Sequence, residues 1–169
     1  MTSAVTIGGS RDDRAAATTA AMKYALVVVV ASCIPDSPYS GPQCSNGDCH
    51  LDPDATYVVN VTDGHLRSEA DAITFNVHRG PVVDAFAAAP GAVGVSLRIR
   101  GLEIATVSMW TDEASLAAFV SGSAHAEAMA ALADAIAPPF LATHWSEPGS
   151  ALPLAFDDAL AHAHAAVNP

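Results

Sequence analysis

From residue 56 onward, apolar and polar positions alternate in ways that separate strands from helices. Thr56-Tyr57-Val58-Val59-Asn60-Val61 reads as a short strand at an edge of a sheet or leading into it. Between Ala72 and His78, Ile73, Phe75 and Val77 alternate with Thr74, Asn76 and His78, the period-two pattern of a strand with two unlike faces. Gly80-Pro81 opens a short helix that Pro90-Gly91 ends. Val93 to Ile99 reads as a strand, turns at Arg100-Gly101 and returns through Ile104 to Trp110. Thr111 is placed to cap the next helix, with Asp112 and Glu113 at the positive end of its dipole. That helical stretch has two phases. Leu116, Phe119 and Val120 form one stripe, Gly122 interrupts it, and His125, Met129, Leu132 and Ile136 then share a face. Pro138-Pro139 stop the helix, Phe140 to Trp145 form a last strand, and Asp157 to Ala166 form a terminal helix.

Counted from residue 72 the order is β-α-β-β-α-β, the split pattern of an α+β, ferredoxin-like domain with an antiparallel sheet. Two helices cover one face of such a sheet. The other face needs a cover too, commonly a second copy, so a homodimer through an open sheet face is expected. The expected division is a leader at 1–33, a loop-rich tether with a possible edge strand at 34–70, and the ferredoxin-like domain at 71–169.

Composition narrows the partners. The net charge is −11 with 7 Lys+Arg, and those basic residues are scattered, which argues against a nucleic-acid partner. A small neutral, apolar or aromatic ligand suits this balance better than an anionic one. No apolar run approaches the ~20 residues of a membrane-spanning helix. A shorter run, Tyr24 to Ala31, follows Met22-Lys23 and ends at Ser32-Cys33. Val30-Ala31-Ser32-Cys33 looks like a bacterial lipobox, in which a lipid on Cys33 would attach the chain to a membrane of the cell envelope. The other reading is a buried strand in a cytoplasmic protein, since four consecutive valines are strand-prone.

Cys44-Ser45-Asn46-Gly47-Asp48-Cys49-His50 has three readings. It can be a disulfide closing an Asn-Gly turn, a haem-attachment motif with a widened spacer, or part of a zinc site. The disulfide fits best, because a polar loop offers no haem crevice and two cysteines with one histidine make a poor metal cage. No Gly-rich phosphate loop, Gly-x-Ser-x-Gly elbow or His-Glu-x-x-His motif is present.

Trp110, Leu116, Phe119, His125 and Met129 fall at the offsets of a known pattern. In these residues the chain resembles the dimeric α/β barrel superfamily that includes the antibiotic-biosynthesis monooxygenases, and in particular an uncharacterised branch of it. Asn76 resembles that branch's first-strand Asn, and Trp145, Gly149, Pro153 and Ala159 resemble its C-terminal signature at a slightly different spacing. The resemblance spans about residues 72–160. It implies a substrate held between sheet and helices and, in some members, oxidation of quinols or phenols without metal or flavin. Haem-degrading members carry a helical Trp where this chain has Phe119, and their His lies further along.

On this reading the site comprises four residues. His125 is the base that takes a proton from a phenol or quinol. Asn76 is the donor that holds the substrate oxygen, and Trp110 and Trp145 are aromatic walls. No cofactor or metal is expected. Two alternatives stand beside it: a ligand-binding or structural module of the same fold without chemistry, and a haem protein using His125, His78 or His50 as axial ligand.

Overall fold

The computed structural model describes residues 36–167. The expected leader at 1–33, with the 24–31 run and Cys33, lies outside the described residues. Two short strands come first, β1 (Cys44–Ser45) and β2 (Asp48–Cys49). Asn46 and Gly47 join them with φ of 52° and 90°, the left-handed pair that a two-residue hairpin requires. Cys44 and Cys49 stand opposite each other in this ribbon and form a disulfide. Then follow β3 (Thr56–Leu66), α1 (Glu69–Ala88), β4 (Ala92–Arg100), β5 (Glu103–Trp110), α2 (Glu113–Val120), α3 (Ser123–Leu132), β6 (Ile136–Pro148), a 3-10 turn (Gly149–Ala151) and α4 (Phe156–Val167).

The main sheet is antiparallel, in the order β4-β5-β3-β6. From β3 to β6 the chain therefore runs β-α-β-β-α-β, with α2 and α3 sharing the second helical place across Gly122. This is the ferredoxin-like α+β fold expected, entered one element earlier.

Four local expectations are corrected. Residues 72–78 are helix, because Ser68 caps α1: its Oγ accepts from the Asp71 N–H at 3.3 Å and donates to the Asp71 carboxylate at 2.6 Å. The alternation there is accidental, since Phe75 packs inward while Ile73 and Val77 are 49% and 65% exposed. Pro81 is tolerated inside this helix because the carbonyl it leaves unpaired, that of Val77, lies on the exposed side. The Thr56–Leu66 strand is central, not an edge, lying between β5 and β6. Ile136 begins β6 rather than ending a helix, and Pro138-Pro139 sit within that strand, which an edge strand allows. Finally, Asp112 rather than Thr111 caps α2, accepting from the Ser115 N–H at 2.7 Å.

The sheet face away from α1 to α3 was expected to lie open. It is covered by the same chain. Tyr57, Val59 and Val61 of β3, Val93 of β4 and Ala105, Val107 and Met109 of β5 form one cluster with Tyr39 and Cys44 of the N-terminal strap and Phe156, Ala159 and Ala163 of α4. The strap, residues 36–52, also runs along the β4 edge, where Ser37 N–H donates to Leu97 O, Ser40 and Val95 exchange backbone bonds, and Gln43 N–H donates to Val93 O.

Candidate functional site

Side chains alternate along β3, so Val58, Asn60 and Thr62 face the helices while Tyr57, Val59 and Val61 face the strap and α4. At one end of the helix side, Val58 and Trp110 pack with Phe86 of α1 and Leu116 of α2. At the other end, Leu66, Ile99 and Ile104 form a separate apolar cluster. Between them the apolar surface is broken by a belt of polar side chains. Asn60 stands opposite Ser108 on β5 and His144 on β6, and Thr62 stands opposite Thr106. The Asn60 amide donates to Ser108 Oγ at 3.4 Å, Trp110 Nε1 donates to the same oxygen at 3.0 Å, and the two threonine hydroxyls are bonded at 2.6 Å. The Asn60 side-chain carbonyl has no hydrogen-bond partner among the described residues, and Asn60 is only half-buried. His144, about half exposed, lies 3.9 Å from the Glu113 carboxylate at the start of α2.

A second feature lies among the helices. The C-terminal end of α1 and the α2–α3 turn enclose an open groove of about 440 Å³, walled by Ala85, Ala89, Ala118, Phe119 and Ser123, with His125 at its rim. The His125 ring packs against Phe119 at 5.4 Å, and its Nδ1 lies 3.0 Å from the Val120 carbonyl. A carbonyl only accepts, so in the neutral ring Nδ1 carries the hydrogen and Nε2 presents a bare lone pair. Sequence periodicity placed this histidine against the sheet. The groove it borders contains no sheet residue, because Gly122 breaks the helix and turns α3 toward α1.

The four residues singled out from sequence do not converge. Asn76 lies inside α1, and its amide donates to the Ala72 carbonyl one turn back at 2.8 Å, so its polarity is absorbed by its own helix. Trp110 is fully buried, with Phe86 edge-on at 5.0 Å and Phe119 also at 5.0 Å, which leaves no ring face for a ligand. Trp145 belongs to the opposite face of the sheet, where it stacks on His162 of α4 at 4.2 Å and donates to Glu147 at 2.9 Å. Only Trp110 and His125 are connected, through Phe119. The residue missed is Asn60. Its signal was a lone amide among the valines of the first true strand, a place where an unbroken apolar strip would otherwise be expected.

Among the described residues no three His, Cys, Asp or Glu side chains gather where a metal ion could bind. The disulfide consumes both thiols that covalent haem attachment would use. His50, at the end of the strap, and His78, within α1, lie on different elements from His125.

The chain matches no protein-family model and no curated protein sequence. It is similar to solved structures. One is a putative antibiotic biosynthesis monooxygenase from Nitrosomonas europaea, 11% identical over 52% of this chain and 95% of that one, with a TM-score of 0.48. A second is SnoaB of Streptomyces nogalater, described as a cofactor-independent oxygenase, 21% identical over 55% and 92%, with a TM-score of 0.44. A third is a dimeric ferredoxin-like protein of unknown function from Jannaschia sp. CCS1, 12% identical over 53% and 97%, with a TM-score of 0.48. The order and pairing of its own strands and helices make β3 to β6 a ferredoxin-like α+β fold.

Proposed function

We propose that the chain is a monooxygenase-like protein acting without metal or flavin on a small aromatic or quinol-type compound. One observation supports this reading above the others: the lone pair of His125 Nε2 stands at the rim of an apolar groove large enough for a single aromatic ring system. The proton of a phenol seated there passes to Nε2, and the resulting electron-rich anion is the species that dioxygen oxidises. The overall change balances without another reductant, since a phenol and dioxygen give a quinone and water. Phe119 supplies the aromatic wall that Trp110 and Trp145 do not. Metal-free protein incubated with a naphthol under oxygen is expected to form the quinone. His125→Ala is expected to lower kcat by about 100-fold or more, the usual share of a positioned base. Turnover unchanged by that substitution removes His125 from the mechanism.

The polar belt favours a second reading, a ligand-binding module without chemistry. Its amide and hydroxyls can hold an oxygenated ligand on the sheet. Binding lost in Asn60→Val but kept in His125→Ala, with no turnover in either, selects this reading. Attachment to the cell envelope through a lipid on Cys33 is a further part of the proposal, resting on the Val30-Ala31-Ser32-Cys33 sequence alone. Intact mass of the chain from a membrane fraction tests it, and an unmodified Cys33 rules it out.

A further inference from the structure

The turn that joins β1 to β2 is an Asn-Gly pair found nowhere else in the sequence. Asn46 is exposed and precedes Gly47, whereas Asn60 and Asn76 precede valines and Asn168 precedes a proline. An asparagine before glycine is open to attack by its own backbone, because no side chain shields the glycine nitrogen. We propose that Asn46 is a self-modification site: its conversion to isoaspartate or aspartate is held off by the disulfide-braced turn and begins when a dithiol reduces Cys44–Cys49. The proposal concerns the strap and is independent of any chemistry on the helix side.

In this reaction the Gly47 nitrogen gives its proton to hydroxide and attacks Cγ of Asn46. A C–N bond forms, the side-chain nitrogen leaves as ammonia, and water opens the cyclic imide at either carbonyl. No electrons are exchanged. The native turn opposes the first step, because the Gly47 N–H donates to the Tyr39 carbonyl at 2.8 Å. Its proton is thereby occupied, and the nitrogen is held by a group outside the turn. Tyr39 is itself fixed: its ring is buried in the core, and Ser40 beside it exchanges backbone bonds with Val95.

Few groups close the turn against this anchor. Ser45 pairs with Asp48, Gly41 and Cys44 exchange backbone bonds, His50 N–H donates to the Gln43 carbonyl, and the Cys44 sulfur seats against Gly94. A ribbon of two residues a side is marginal by itself, so the bridge is what limits its opening. Cys49 is only partly buried, which gives a dithiol access; exchange leaves two protein thiols and converts the dithiol to its disulfide. The bonds from Ser37, Ser40 and Gln43 to β4, and from Ser96 to the Ser37 carbonyl, do not run through the bridge. Reduction therefore frees the 44–49 turn and leaves the strap in place. Isoaspartate then adds a methylene to the backbone between the cysteines, so the native pairing of Cys44 with Cys49 no longer re-forms and the change is one-way.

Peptide mapping by mass spectrometry tests this on the full chain, aged in mildly alkaline buffer with and without dithiothreitol. The oxidised chain is expected to convert Asn46 about tenfold or more slowly than a free Ser-Asn-Gly-Asp peptide, and the reduced chain about fivefold or more faster than the oxidised one. Asn60 and Asn76 stay unmodified in both. Cys44→Ala with Cys49→Ala is expected to convert at the reduced rate with no dithiol present, so poor reduction of the wild type does not decide the matter. Hydrogen exchange of each sample separates opening of the turn from unfolding: Val107 and Met109 of β5, wholly buried, are expected to keep their protection. An oxidised chain that converts as fast as the peptide overturns the proposal. So do reduced and double-alanine chains that convert no faster than the oxidised one, or only after β5 has lost its protection.

Discussion

Val61 and Asn60 are neighbours on β3, yet they belong to two differently built surfaces. Val61 joins a single apolar cluster that runs from the sheet into the strap and α4, with Arg98 holding the cover in place. Asn60 sits in a polar gap between two apolar clusters, half-buried, with acceptor capacity to spare. The capped face is made as a core is made, with water excluded from Val59, Val61, Val107 and Met109 at its centre. The helix face is built differently, with apolar clusters at both ends and polar side chains between them. Stability is therefore expected to depend more steeply on the first than on the second.

A pair of adjacent substitutions gives the sharpest test. Val61→Asp places a carboxylate in a fully buried apolar site, and a cost of about 4 kcal/mol or more is expected, enough to prevent folding. Asn60→Val, one residue away, exchanges a half-buried amide for an apolar side chain of good strand propensity, and its effect is expected to stay within about 1 kcal/mol. Urea denaturation of the two variants measures the difference. Equal destabilisation would break the contrast, because Asn60 would then be a structural member of the core.

Much of the fold was legible before the structure. The β4–β5 hairpin, the helix break at Gly122 and the terminal helix all follow from alternation, turn residues and a glycine that no stripe can cross. The disulfide followed from an Asn-Gly turn between two cysteines. The largest failure has a single cause: local periodicity cannot tell an inward apolar residue from an exposed one. Ile73 and Val77 point outward from α1, so a helix displays the period of a strand, and the split pattern counts its first strand sixteen residues too late, from Ala72, leaving the true one at Thr56 as an edge or lead-in strand. That shift carried Asn76 into the place Asn60 occupies. The Ser68 cap with Asp71 three residues on was the counter-signal, and it was present in the sequence. The covered sheet face was not legible at all, since the strap has no apolar period and contributes chiefly Tyr39 and the Cys44–Cys49 bridge.

Acid offers a milder test of the same contrast. The Arg98 guanidinium hydrogen-bonded to Asp36 holds that carboxyl below its ordinary value near 3.8. A carboxyl whose pKa is depressed in the folded state contributes stability that is present above the unfolded value and is lost as pH falls through the folded one. The stabilising contribution of this ion pair is thus intact at neutral pH and fades below about pH 4. In Asp36→Asn that contribution is already absent, so its stability is expected to fall less steeply than that of the wild type between roughly pH 4 and pH 2. Thermal melts across that range measure the slopes. Parallel curves would mean that the strap is not held by this ion pair.

The smallest effect has the opposite sign. Tyr39 carries the strap into the capped core, and its hydroxyl is buried with no hydrogen-bond partner among the described residues. Burial pushes the phenol's pKa upward, so it stays neutral across any working pH, but a neutral hydroxyl without a partner still loses its bonds to water on folding. Tyr39→Phe removes that oxygen and keeps the ring that packs in the Val59 and Met109 cluster. A gain of about 1 kcal/mol is expected, read as a rise of roughly 2–4 °C in Tm for a chain of this size. A loss of stability instead would show that the hydroxyl is satisfied inside the cap, and that this face, like the other, encloses a polar group for a purpose.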